Sequence, residues 1–273
     1  MAIAAKQSGQ LKAAGVTSST ARETADLTLR LLEYLASQPG QCGVTDLARE
    51  FGTSKTTIHR HLRTLVNREF VRQDALSLRY EPGIKLFQLG ERLRERFGIL
   101  GAARAEMERL RDESGQAVTL STLVHDKVLI LELVQGNTIV EFGIRPGTQM
   151  DLHNSAHGKV ALAFGPAQLL EACMHPATTR ATRARRDLAP SESLLRKQVT
   201  TARKQGWATA ANEVLFGVNA LGAPVFDHRG SFAGTIAIVG STQYIGPKPK
   251  PEQLAMVQGA ARRISKNLGW SGR

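Results

Sequence analysis

At 273 residues with 42% hydrophobic content, the chain can build two cored domains and is too apolar to be disordered throughout. Its longest apolar runs, such as Val128 to Val134, carry charge and fall short of the roughly 20 residues a bilayer span requires, so no membrane partner is expected. The net charge of +12 suits a polyanion, but 15 Lys+Arg oppose 10 Asp+Glu up to Gly98 and 21 oppose 14 after it, so charge alone does not locate a surface for one.

Met1–Gln10 lacks a basic segment followed by an apolar one, so no secretory signal is expected. Cys42 and Cys173 are too far apart in sequence for a disulfide framework or a metal spacing, which fits a reducing, cytoplasmic setting. Residues 1–20, rich in Ala, Gly, Ser, Thr and Lys, read as a mobile tail. Leu27, Leu31, Tyr34 and Leu35 then share one helical face, which Pro39-Gly40 ends. A short helix follows, with Leu47, Ala48 and Phe51 apolar and Thr45 as its expected cap. Gly52 breaks it, and Ser54 is placed to cap a third helix, SKTTIHRHLRTLVNRE. Ile58, Leu62, Leu65 and Val66 cluster on one side of that helix, while Thr56, Arg60, Arg63 and Asn67 point the other way, flanked by Thr57 and Thr64. FVRQDALSLRYEP predicts a small β-hairpin turning at Asp74–Ser77.

Helix, short turn, helix and hairpin over 21–83 is the order of a winged helix-turn-helix. A major-groove reading helix needs an apolar face to anchor it and a polar face near its start. The third helix has both. A polar face on its own is ordinarily just solvated; the neighbouring helix, the Gly52 turn and the hairpin turn the reading toward DNA. The expected contact set is Ser54, Lys55, Thr56, Thr57, His59, Arg60 and Arg63, with Arg22 and the basic tail reaching the backbone or minor groove. His59 and His61 lie about 200° apart on a helix, which argues against shared metal ligation, and His61 is expected at the core edge.

A helical connector is expected over 84–113, bent or broken at Gly98 or Gly101, with Leu86, Phe87, Leu89 and Leu93 available for self-association. Beyond it the period changes. Two strands are expected around His125-Asp126-Lys127 and a third in TIVEFGIRPG; helices over Ala156–Phe164 and Glu192–Lys204; strands near Trp207–Glu213, Asn219–Phe226 and Phe232–Val239; and a last helix from about Glu252 to Leu268. The mixture describes an α+β domain over 114–273 with an antiparallel sheet.

Three segments resemble one family. VTDLAREFGTSKTTIHRHLRTLVNREFVRQD looks like the DNA-binding domain of IclR-type bacterial regulators. MDLHNSAHGKVALAF is similar to the family's leucine-histidine-x-serine-alanine-x-glycine-lysine segment, and GWATAANEVLFGVNALGAPVFDHRG to its C-terminal signature. The resemblance implies a GAF-like effector-binding domain, a dimer or dimer of dimers (a homotetramer), a pseudo-palindromic double-stranded operator, and control by a small organic effector. Where that signature usually has Asp or Ser this chain has Ala210, while Glu213 is kept. Relatives that sense very small acids resemble one another in lining the pocket with an acid, a cysteine and serines. The corresponding positions here are Ala210, Ala220, Ala237 and Val239, so an aromatic or apolar ligand with a carboxylate or comparable polar head near Ser155 is expected.

The full expected pocket is Met150, Leu152, Ser155, Ala156, Ala210, Glu213, Ala220, Ala237 and Val239. Ser155 is either a plain helix cap or part of an anion-binding helix start, and Glu213 either an ion-pair partner or a pocket group. His153 and His157 have i, i+4 spacing but no third ligand nearby, so no metal is expected. The run Arg180, Arg183, Arg185 and Arg186 reads as a solvated loop or an auxiliary DNA contact. No nucleophile elbow, phosphate loop or His-Glu-x-x-His occurs, and Cys173 has no base beside it, so neither catalysis nor a cofactor is expected. A ligand-independent architectural protein and an enzyme with a DNA-binding appendage remain the alternatives.

Overall fold

The computed structural model describes residues 22–137, 143–174 and 191–272. The chain divides into two compact units, Met1–Arg96 and Phe97–Arg273. The basic run at 180–186, the tail at 1–20 and most of the expected strand at 138–142 lie outside the described residues.

In the first unit, a helix over 22–37 (α1) is followed by α2 (Val44–Glu50), α3 (Lys55–Asn67), β1 (Val71–Gln73), β2 (Tyr80–Pro82) and α4 (Ile84–Arg96). The apolar stripes predicted for α1, α2 and α3 converge. Leu31, Leu35, Leu47, Ile58, Leu62 and Leu65 form one core with Val71 and Tyr80. Each such fully buried aliphatic side chain stabilises the unit by about 2 kcal/mol. Ser54 caps α3 as expected: its Oγ accepts from the Thr57 N–H at 3.1 Å. Thr45 does not cap α2, because the helix starts two residues earlier than such a cap would place it, with Gly43 as its N-cap and no side-chain bond. The hairpin pairs Val71 with Pro82 and Gln73 with Tyr80, and Cys42 exchanges two 2.8 Å backbone bonds with Tyr80, an isolated bridge at the edge of the hairpin. At the hairpin tip the Asp74 carboxylate accepts from the N–H groups of Leu76 and Ser77, which fixes the turn.

The second unit runs α5 (Gly98–Ser114), β3 (Ala117–Val124), β4 (Lys127–Val134), β5 (Gln149–Met150), α6 (Ala156–Phe164), α7 (Gln168–Met174), α8 (Glu192–Gln205), β6 (Ala208–Thr209), β7 (Val218–Phe226), β8 (Phe232–Ser241) and α9 (Pro251–Asn267). Its strands form one antiparallel sheet in the order β5-β4-β3-β8-β7-β6. Strand alternation sends Val118, Leu120, Leu221, Ala223, Val225, Ile236 and Ile238 to one face. There they meet Ile99, Ala103, Met107 and Leu110 of α5, spaced as one helical stripe, and Val257, Ala260, Ala261 and Ile264 of α9. The other face receives α6, and α8 packs on α6. Helix α6 is buried all round from Ala156 to Ala163. Gly158 permits that approach: a Cβ there would lie 2.4 Å from both Cα and O of Leu152.

Three sequence expectations need correction. The connector over 84–113 breaks beside Gly98, as expected, but its second half is no linker: α5 carries a full apolar stripe and is buried in the larger unit. The strand expected over Trp207–Glu213 shrinks to Ala208–Thr209, since Asn212 adopts a left-handed conformation (φ 62°) and its side chain accepts from the Gly217 N–H, closing a loop. Finally, the sequence carries no clear signal for α7, and a short strand at Gln149–Met150 pairs with β4.

Candidate DNA-reading face and ligand cavity

On α3, Ile58, His61, Leu62 and Leu65 are buried, while Lys55, Thr56, His59, Arg60 and Arg63 are exposed on the opposite arc. Burial lowers the His61 pKa, and its Nδ1 lies 2.7 Å from the Thr28 hydroxyl of α1, so this ring is a packing group rather than a DNA contact. Ser54 and Thr57 are mutually bonded through their hydroxyls at 2.9 Å and hold the helix start. Arg30, Arg49, Arg72 and Arg79 have carboxylate partners. Arg60 and Arg63 have no ion-pair partner among the described residues, and α3 itself contains no acidic residue. The outer face of α3 is therefore an uncompensated cationic surface with hydroxyl donors beside it, suited to phosphates and base edges. Arg22 is exposed at the start of α1.

In the larger unit, a cavity of about 290 Å³ opens between the start of α6, the loop after β6, and β7 and β8. It brings together six of the nine residues expected at a pocket: Met150, Ser155, Ala156, Ala210, Ala220 and Val239. Ile144, Val214, Leu215 and Val218 extend its apolar wall, and none of the described lining residues is charged.

Three expected pocket residues are elsewhere. Leu152 is buried in the core beneath α6. Ala237 is buried in the sheet between Thr119 and Gly222. Glu213 faces away from the cavity and bonds Lys159 Nζ through Oε1 at 2.5 Å, while the same ammonium donates to the Thr209 carbonyl at 3.2 Å. The Lys159 side chain is only 4% exposed and that of Glu213 33%.

The polar side chains at the cavity are committed inward. Ser155 Oγ accepts from the Gly158 N–H and donates to the Asp151 carbonyl, the arrangement of a helix cap. Asn219 accepts from the Ala210 N–H and donates to the carbonyls of Ile245 and Gly246. His157, which the sequence reading weighed only as a metal ligand, is held by two sheet hydroxyls: Nε2 lies 2.8 Å from Thr119 Oγ1 and Nδ1 2.7 Å from Ser121 Oγ. Complete burial pushes its pKa down to about 4, so the ring is neutral near pH 7. Thr119 and Ser121 were missed as site-supporting groups, although hydroxyls two apart in a strand signal a polar stripe on one sheet face. What the cavity retains for a polar head is the first turn of α6, where the amides of Ala156 and His157 have no intrahelical acceptor. Among the described residues, no group of three or more His, Cys, Asp or Glu could hold a metal ion, and no helix is long and apolar enough to cross a membrane.

Comparison with known proteins agrees across both units. Residues 24–75 match the family described as the IclR helix-turn-helix domain, and residues 93–266 match the bacterial transcriptional regulator IclR C-terminal family. The chain is 32% identical over 241 residues to the glycerol operon regulatory protein of Streptomyces griseus, covering 88% of this chain and 93% of that one. It is 28% identical over 244 residues to the transcriptional repressor IclR of Escherichia coli, covering 88% of each. Among solved structures, Thermotoga maritima IclR superposes with a TM-score of 0.70 at 24% identity, covering 93% of this chain and all of that one. An IclR homologue from Microbacterium hydrocarbonoxydans, solved with 4-hydroxybenzoate, superposes with a TM-score of 0.75 at 20% identity, covering 90% and 98%. The winged helix-turn-helix, the antiparallel sheet domain and both family matches converge: the chain belongs to the IclR family of DNA-binding transcriptional regulators.

Proposed function

We propose that this regulator reads a pseudo-palindromic operator as a dimer, through the outer face of α3, and that an aromatic or apolar carboxylate in the 290 Å³ cavity modulates that binding. DNA reading is assigned to residues 21–83, ligand sensing to 114–273, and the setting to the cytoplasm. Thr56 and Arg60 read base edges, while Arg63, Lys55 and His59 meet the backbone and Arg22 adds to it. One reading helix covers too few base pairs to select a promoter, and α4 leaves Phe87 and Leu93 exposed for a second copy.

The observation that carries the ligand class is the cavity wall itself: Ala210, Ala220 and Val239 supply no hydrogen-bond partner, and every polar side chain there is already bonded. Beyond its carboxylate, a two- or three-carbon acid would desolvate its remaining oxygen without a replacement bond, whereas an apolar ring gains about 25 cal/mol for each Å² it buries. The carboxylate would sit on the free amides at the start of α6. The 4-hydroxybenzoate bound by the Microbacterium homologue supports the same class. Thermal-shift titration tests it. Benzoate and 4-hydroxybenzoate should raise the melting temperature of the larger unit and alter retention of cognate DNA, with glyoxylate and pyruvate doing little. The reverse ranking would overturn the ligand class, and a stable monomer by light scattering, with a footprint over one half-site, would overturn the dimer.

A further inference from the structure

The tip of the β1–β2 hairpin departs from the usual chemistry of a turn. Leu76 is 96% exposed, more than any other large apolar side chain among the described residues, and Leu78 is 64% exposed. Turn tips ordinarily carry Gly, Asn, Asp or Ser. Leu78 also holds a left-handed conformation (φ 55°), which Gly or Asn adopts at less cost than leucine. Neither leucine belongs to the core of its unit.

The tip is nonetheless firmly held. The Asp74 carboxylate accepts from the N–H groups of Leu76 at 3.2 Å and Ser77 at 2.8 Å, and the Leu78 N–H donates to the Asp74 carbonyl at 3.0 Å. Gln73 Nε2 donates to the Leu78 carbonyl at 3.1 Å, and Arg79 Nε to the Gln41 carbonyl at 3.1 Å. Two leucines are thus presented to solvent on a preformed support.

Charge separates this hairpin from α3. Over 71–82 two arginines face one Asp and one Glu, and both arginines are committed within the unit: Arg72 Nε donates to Glu81 at 2.8 Å, and Arg79 pairs with Asp46 at 3.2 Å. Where α3 leaves Arg60 and Arg63 available to phosphates, the hairpin offers an apolar point. Its reach suits DNA. The arm from Val71 to Ala75 extends about 13 Å, at about 3.3 Å per residue, and the Leu76 side chain lengthens it. A major groove and the minor groove beside it lie roughly half a helical turn apart, about 17 Å.

We propose that, with α3 in the major groove, Leu76 enters the adjacent minor groove as an apolar wedge, backed by Leu78, and unstacks one base step there. Apolar side chains inserted in this way kink a duplex by roughly 20–90°. A pyrimidine–purine step, the easiest to unstack, is the expected position. The wedge rests on the reading of α3 as the groove helix and adds to it a contact without charge.

The test uses the full chain and a duplex that it selects from a random-sequence pool, with and without the flanks outside the α3 footprint. Anisotropy over a salt series reads affinity, and energy transfer between dyes at the duplex ends reads the kink. Leu76→Ser should weaken the flanked duplex at least about tenfold with an unchanged salt slope, abolish the kink, and bind the trimmed duplex as the parent does. Leu76→Phe, another wedge, should keep both the affinity and the kink. At so exposed a position neither substitution touches the core. Unchanged affinity and kink in Leu76→Ser would overturn the wedge. So would a loss with a shallower salt slope, which marks a phosphate contact, or a loss with a smaller assembly by light scattering, which marks a contact between copies. Arg60→Ala without effect on the same duplex would count against α3 as the reading helix, a failure separate from that of the wedge.

Discussion

Removing Glu213 should hurt more than removing Lys159, and removing both should hurt least. Lys159 is 4% exposed and holds its charge through Glu213 and a single carbonyl, whereas the Glu213 carboxylate is 33% exposed. Glu213→Leu strands a buried ammonium. Breaking a fully buried pair in this way costs about 3–5 kcal/mol, and partial exposure of the acid places this case near the low end, at about 3. Lys159→Met leaves a carboxylate that can turn to water, so about 1 kcal/mol is expected. The Lys159→Met/Glu213→Leu double variant removes both charges and should lie within about 1 kcal/mol of the parent, a coupling far outside additivity. Both tryptophans, Trp207 and Trp270, belong to the larger unit, so fluorescence-monitored melting reads that unit without the DNA-binding one. At about 2–4 °C per kcal/mol for a unit of this size, Glu213→Leu should lower the melting temperature by roughly 6–12 °C. A double variant as unstable as Glu213→Leu, or single variants in the opposite order, would show that the loop and not the charge is responsible.

Arg60→Ala should cost about 1–3 kcal/mol on the cognate site and relax preference at one base pair. Arg63→Ala should weaken cognate and random DNA alike and reduce the salt slope by about 1, both read by fluorescence anisotropy over a salt series. Gly158→Ala sets a methyl 2.4 Å from the Leu152 backbone, so a loss of about 3 kcal/mol in urea unfolding is expected; an unchanged midpoint would mean α6 can move away freely. Stability of the larger unit should fall with acidification. His157 titrates near 6.5 unfolded and at about 4 folded, so protonation favours the unfolded chain. Its contribution is complete above pH 6.5 and is lost as pH falls toward 4, amounting to about 3 kcal/mol, and His157→Asn should flatten that slope except for the smaller part owed to His153, whose pKa burial also lowers.

The DNA-binding unit was legible because its signals are local. Ser54 caps α3 within three residues, Gly52 takes positive φ at the turn, and the Ile58–Leu62–Leu65 stripe needs only helical periodicity to be seen. The sheet order and the site were harder. His157 meets Thr119 and Ser121 from 38 and 36 residues away, and no spacing rule couples them. Residues 207–213 have strand-like composition, but Asn212 turns the chain after Thr209 and sends Glu213 to one side and Val214 to the other. Gly98 marked the break in the connector, but α4 and α5 are both amphipathic, and only the three-dimensional core distinguishes the stripe that is buried in the larger unit from the one that stays exposed.

The two faces of the sheet differ in how they would let go. Amides of α5 and α9 lie over an aliphatic layer and should exchange with deuterium only when the whole unit unfolds. Helix α6 lies over Thr119, Ser121 and Thr235, with α8 packed on it, a cavity on one side, a cleft on the other, and the Thr235 hydroxyl unpaired among the described residues. That layer has the lower local stability, and it should show faster, sub-global exchange while the opposite layer stays silent. Any molecule seated against α6 would tighten the loose half of the unit and leave the other unchanged. The sheet thereby separates a frame that keeps its shape from a half whose protection factors report occupancy.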